Sequence, residues 1–162
     1  MLRTYVCGRP ILRREAGHFE LSLTGLCSLI GHTLALITYI VEDNLTILEN
    51  LIETLEEIAL VKVVGHAATE SEARVWLSLH NGSWQLAVID MFLREGSGLG
   101  VLSGCRERQS YQKVVVLTNY ATADIRQRCL ALGANAVFDK SNELDEFFAY
   151  CVGETAIATP AI

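Results

Sequence analysis

From Leu36 onward, short apolar and β-branched runs alternate with longer stretches in which apolar residues recur every three or four positions. These are the two periods of a buried strand and an amphipathic helix. Leu36–Val41 (LITYIV) is apolar almost throughout, as a strand covered on both faces should be, and it stops at Glu42-Asp43. Leu45, Leu48, Leu51, Ile52, Leu55 and Ile58 then repeat at helical spacing, with Glu49, Asn50, Glu53, Glu56 and Glu57 on the other side. Residues 61–64 predict a second strand. Thr69 with Glu72 three residues later makes a capping box that opens a helix reaching about His80.

Asn81-Gly82-Ser83 is a stop signal, and the apolar run Leu86–Ile89 after it again ends on an acid, Asp90. Residues 91–98 lead into a helix carrying Leu99, Leu102 and Cys105, residues 114–117 predict a fourth strand that ends at Thr118, and residues 123–132 a helix closed by Gly133. Ala136–Asp139 is the fifth strand, followed by Lys140, and Ser141 is expected to cap a last helix with Leu144, Phe147 and Phe148 on one face. The alternation predicts an α/β fold of repeated βα units: one five-stranded parallel sheet between two helical layers. The domain is expected over 36–150. Residues 1–35 form an extension with no partner element in this scheme, and 151–162, with little patterning, read as a mobile tail.

Composition narrows the function classes. With 19 acidic against 13 basic residues the net charge is −6, which disfavours nucleic-acid backbones and anionic membranes and leaves proteins and cations as partners. Residues 21–41 hold no Asp, Glu, Lys or Arg and are nearly long enough to cross a bilayer, which takes about 20 residues. Gly25, Gly31 and His32 dilute the run and its end is needed as a strand, so neither an anchor nor a cleaved signal is expected. The five cysteines form no C-x-x-C pair, consistent with reduced thiols and a cytoplasmic location. His18, His32, His66 and His80 are scattered and suggest no metal or phosphodonor site.

The candidate chemistry lies where the strands end. Ligands of open parallel sheets bind beyond the carboxyl ends of the strands, and here those ends carry Glu42 and Asp43, Asp90, Thr118 and Lys140. Singly, each residue has an ordinary reading as a cap or a solvated turn. Jointly they match the parts needed to move a phosphoryl group onto a carboxylate. Clustered acids suit Mg²⁺, Asp90 is placed as nucleophile, Lys140 offsets charge and Thr118 donates a hydrogen bond.

The motifs ED after the first strand, VID after the third, LT after the fourth and FDK after the fifth resemble the receiver domain of response regulators, over 36–150. The resemblance implies a flavodoxin-like (βα)5 three-layer sandwich acting as a phosphoacceptor switch rather than an enzyme. Asp90 would take the phosphoryl group from a histidine kinase or a histidine phosphotransfer protein. Mg²⁺ would be held by Asp43, Asp90 and the backbone carbonyl of Phe92, and by Glu42 through water. Thr118, Lys140 and the amides of Phe92 and Asn119 would bind phosphoryl oxygens. No output domain is recognisable, so a downstream protein partner is expected for a stand-alone receiver, with a homodimer also open and direct nucleic-acid binding not expected.

The pattern departs from the family in places. Arg94 stands where a proline is often found, Ser141 where a proline commonly follows the Lys, and Val137 where an aromatic usually serves the switch, leaving Tyr120 as a candidate to carry the signal. Three other readings compete. A constitutive pseudo-receiver would lack the complete set of site residues seen here. A nucleotide-binding module could use Gly96-Ser97-Gly98-Leu99-Gly100, but Val101 takes the place of the last glycine of the fingerprint. A phosphatase of the haloacid dehalogenase type would need an acid where Phe92 stands.

Overall fold

A computed structural model describes residues 35–158, with side chains as far as 155. Its elements in chain order are β1 (Leu36–Val41), α1 (Leu45–Ile58), β2 (Val61–Ala67), α2 (Glu70–Leu79), β3 (Leu86–Ile89), α3 (Gly98–Gly104), β4 (Lys113–Thr118), α4 (Ala123–Ala131), β5 (Ala136–Asp139) and α5 (Leu144–Ala158). All strand pairs are parallel, in the order β2-β1-β3-β4-β5. The expected α/β class and five-stranded sheet are therefore present.

Alternation along the strands fills both faces. Leu86 and Val88 of β3, with Val115 and Leu117 of β4, meet Leu48, Leu51 and Leu55 of α1 and Phe147 and Cys151 of α5. The intervening Ala87 and Ile89, with Val114 and Val116, meet Ala73 and Leu77 of α2, Val101 and Leu102 of α3 and Cys129 of α4. Burial of β3 and β4 on both faces is what their unbroken apolar runs required.

The helix starts follow side-chain caps. Asn44 Oδ1 accepts the amides of Thr46 and Ile47 at 3.0 and 3.2 Å, Thr69 Oγ1 that of Glu72 at 3.3 Å, Ser97 Oγ that of Gly100 at 3.2 Å, and Thr122 Oγ1 that of Ile125 at 3.3 Å. Gly133, just past α4, takes φ +99°, a conformation that glycine adopts without strain. At the sheet edge the β1–β2 register slips between Thr38 and Tyr39, so that Thr38 faces Val63 and Tyr39 faces Gly65. A side chain at Gly65 would meet the stacked rings of Tyr39 and Trp76, whose centroids are 3.9 Å apart.

Three expectations need correction. The second strand runs on to Ala67, because its continuation pairs with Tyr39–Val41 of β1. Ser141 does not cap the last helix: its amide donates to Asp139 Oδ1 at 2.8 Å and the helix opens only at Leu144. The tail expected from Cys151 is helical as far as Ala158, since Cys151 is wholly buried against the α1 side of the sheet and extends the apolar face of α5. Residues 159–162 and 1–34, with most of the 21–41 segment, lie outside the described residues. Among the described residues no helix is long and apolar enough to cross a membrane.

Candidate functional site

The strand order reverses between β1 and β3: the chain steps outward from β1 to β2, returns past β1 to β3 and continues to β5. A crevice opens at such a reversal because the following connections depart to opposite faces. β1 and β3 deliver their acids there in register. Val41 pairs with Ile89, the Asp90 amide donates to the Val41 carbonyl at 2.8 Å, and the Glu42 amide to the Ala67 carbonyl at 2.9 Å. The ladder thus extends past the strands and fixes the backbone that carries Glu42 and Asp90.

Glu42, Asp43 and Asp90 each bring a carboxylate oxygen within 4.8 Å of the others, and Glu42 and Asp90 are buried. β5 adds the counter-charge. The Lys140 amide donates to the Thr118 carbonyl at 2.9 Å, and the Lys140 ammonium reaches Glu42 Oε2 at 2.5 Å and Asp90 Oδ2 at 3.0 Å. Burial pushes the Glu42 carboxyl above its usual range, against the pull of the Lys140 hydrogen bond and charge. Thr118 is fully buried at the end of β4, where its Oγ1 accepts the Tyr120 amide at 3.3 Å. The five side chains read from the sequence, Glu42, Asp43, Asp90, Thr118 and Lys140, accordingly line the same rim of the sheet.

Two loops frame this rim. After Asp90 the Phe92 amide turns back toward Asp90 Oδ1 at 3.4 Å, and after Thr118 comes Tyr120. The exposed rings of Phe92 and Tyr120 meet edge to face with centroids 5.1 Å apart, which bridges the two loops. Val137 is buried in the layer beneath α4, and its carbonyl accepts from the Arg126 guanidinium at 2.5 Å. That guanidinium also holds Glu143 Oε2 at 2.6 Å and, through Nε, the Ala121 carbonyl at 2.9 Å. Arg126 thereby joins α4, the end of β5 and the start of α5.

Sequence patterning missed the Arg126 clamp and the Phe92–Tyr120 contact. Neither has a local signature, because the partners come from separate elements and loops. The Asn44 cap, by contrast, had one: an Asn directly before the first periodic residue of a helix.

An oxygen-rich acidic group beside a lysine suits a hard divalent cation and a phosphoryl group. Comparison with known proteins bears on the family of the chain. The family model of the response regulator receiver domain matches residues 38–151. The photosynthetic apparatus regulatory protein RegA of Rhodobacter capsulatus is 26% identical over 107 residues, which cover 66% of this chain and 56% of RegA. The chain thus spans little more than half of that relative. The receiver domain of NarL from Mycobacterium tuberculosis superposes with a TM-score of 0.65 at 18% identity, covering 75% of this chain and 97% of that one. CheY from Borrelia burgdorferi, in the crystal structure of a CheX-CheY-BeF3-Mg complex, gives a TM-score of 0.60 at 18% identity over 70% of this chain and 87% of its own. At such identity the structural likeness speaks for the fold, while the family match and the arrangement of Glu42, Asp43, Asp90, Thr118 and Lys140 agree in placing this chain in the response regulator receiver domain family of two-component signalling.

Proposed function

We propose that the chain is a switch that accepts a phosphoryl group on Asp90 from the phosphohistidine of a sensor kinase or histidine phosphotransfer protein, and thereby changes its affinity for a downstream protein. The observation that carries this reading is the convergence of three carboxylates and one ammonium on one rim, with Lys140 within 3.0 Å of Asp90. Asp90 is only slightly exposed, so water has little access to its carboxylate.

In the reaction an Asp90 oxygen attacks phosphorus, the bond from phosphorus to the donor imidazole nitrogen breaks, and its electron pair returns to the ring. Lys140 shifts its charge from the carboxylates to the incoming phosphoryl oxygens. Thr118 turns its hydroxyl toward the same oxygens, with the amides of Phe92 and Asn119. Asp43, Asp90 and the Phe92 carbonyl would hold Mg²⁺, with Glu42 acting through water. Such an ion would supply positive charge to offset the clustered acids and the phosphoryl oxygens. The donor set fits, because hard oxygen ligands of net negative charge are what Mg²⁺ selects. CheY from Borrelia burgdorferi, crystallised with CheX, BeF3 and Mg, gives a precedent for a receiver fold with such partners.

Incubating the chain with acetyl phosphate and Mg²⁺ is expected to add one phosphoryl group in the intact mass, and neither Asp90→Asn nor chelation of Mg²⁺ should leave that gain in place. Phosphate uptake by Asp90→Asn would defeat the site assignment. A wild-type chain without any uptake would instead support the constitutive pseudo-receiver.

A further inference from the structure

Glu70, the first residue of α2, lies outside the acidic cluster, yet it grips the segment that leads away from Asp90. Its Oε2 accepts the Ser97 amide at 2.9 Å, its own amide donates to the Glu95 carbonyl at 3.0 Å, and Thr69 before it forms a parallel bridge with Glu95. Arg74 Nη1 steadies the other oxygen, Oε1, at 3.3 Å. Ser97 is the cap of α3, so the residue held by Glu70 is the one that decides where that helix begins.

The glycines of this stretch fit the same side chain. A Cβ at Gly96 would overlap the Glu70 stem, one at Gly100 would overlap the Glu70 carboxylate, and one at Gly98 would overlap the Asp90 carbonyl. The run from Gly96 to Gly100, superficially a dinucleotide fingerprint, thus makes room for a carboxylate of this chain at two of its glycines and for the phosphoacceptor's own backbone at the third. Gly98 also donates its amide to the Met91 carbonyl at 3.0 Å, which closes the loop on itself.

We infer that Glu70 is a positioning residue of the phosphoacceptor site. It latches the loop 91–97 to the start of α2 and so holds the Phe92 backbone where the ion and the phosphoryl group need it. A carboxylate that accepts a backbone amide makes a charge-assisted bond, about twice as strong as a neutral one. The loop between Asp90 and α3 has no strand or helix of its own to fix it. With the Thr69–Glu95 bridge, the latch converts a loop into a defined ligand arm. This role rests on the phosphoacceptor reading of Asp90.

The test uses the full chain and the variants Glu70→Gln, Glu70→Ala, Gly100→Ala and Glu70→Ala/Gly100→Ala. Mg²⁺ affinity is read by calorimetry, phosphate uptake from acetyl phosphate by intact mass, and backbone exchange over 92–97 by deuterium labelling. Glu70→Ala is expected to weaken Mg²⁺ binding about 10-fold and to speed exchange over 92–97, whereas Glu70→Gln, which keeps an oxygen for Ser97, stays within about 3-fold of wild type. Gly100→Ala, which displaces the carboxylate by bulk, should reproduce Glu70→Ala, and the double variant should be no worse than either. Unchanged Mg²⁺ affinity in Glu70→Ala beside an active wild type overturns the role of Glu70 alone, as do effects that add in the double variant. A wild-type chain that takes up neither Mg²⁺ nor phosphate overturns the reading of the site and with it the role built on it.

Discussion

The two loops that flank the acids are held in different ways. The loop after β3 is tied to a neighbouring element by the Glu70 carboxylate, by the Thr69–Glu95 bridge and by the close approach of Gly98 to the Asp90 carbonyl. The loop after β4 folds on itself: the Tyr120 amide returns to Thr118 Oγ1 and the Thr122 amide to the Tyr120 carbonyl at 2.9 Å, with Arg126 on the Ala121 carbonyl as the tie from a helix. The lesson is a division of labour. The arm that carries Asp90 is fixed from outside, and the arm beyond Thr118 is held by shorter-range bonds, which open more readily.

Variants that break this contrast should fall in a clear order. Lys140→Ala is expected to cost the metal-free chain about 3 kcal/mol, because it strips the counter-charge from the buried Glu42 and Asp90; a urea melt should show the loss, with much of it recovered on adding Mg²⁺. No shift in the midpoint would mean that the ammonium does not sit between those acids. Gly98→Ala forces a methyl group against the Asp90 carbonyl and should cost about 2 kcal/mol, together with slower phosphate uptake. A fully stable, fully reactive variant would show that the outer tie of the first loop is slack.

Smaller effects sharpen the same comparison. Tyr120→Ala removes an exposed edge-to-face contact and should cost less than about 1 kcal/mol. Its distinguishing result is local: faster amide exchange over 119–122 with 92–97 unchanged. Equal loosening of both loops would show that the aromatic bridge, rather than Glu70, holds the first. Glu143 gives the weakest effect. Its carboxyl lies below the usual range, chiefly through the Arg126 hydrogen bond and then the Asp139 amide. Since the folded value is the lower one, the stabilisation is complete above the ordinary carboxylate range of about 4 and fades as pH falls through the depressed value. Stability measured on the acid side should therefore depend less on pH in Glu143→Gln.

The sequence was legible where the physics is local or periodic. Leu36–Val41, Leu86–Ile89 and Ala136–Asp139 stand at their expected bounds because apolar runs bracketed by polar residues leave little choice of register. The rim residues were legible because a parallel sheet sends every strand's carboxyl end to one side, so identity and order alone brought Glu42, Asp43, Asp90, Thr118 and Lys140 together. What stayed hidden depends on distant partners. Val61–Ala67 outran its apolar pattern because β1 completes its hydrogen bonds, and residues 151–158 are helical because a buried face waits for Cys151. Nothing in the sequence singles out Glu70, because its grip on Ser97 spans 27 positions that no local pattern encodes.

The slipped register beside Gly65 bears on how the molecule meets its own kind. β2 is one of the sheet's two outer strands, and such a border invites another chain to add itself to the sheet. Here the border is kinked by one surplus residue, and the Val63 amide is already engaged by Glu56 Oε1 of α1 at 3.2 Å. A strand visiting this border would find an uneven template with a donor already taken, so crowding many copies together should not zipper them through β2.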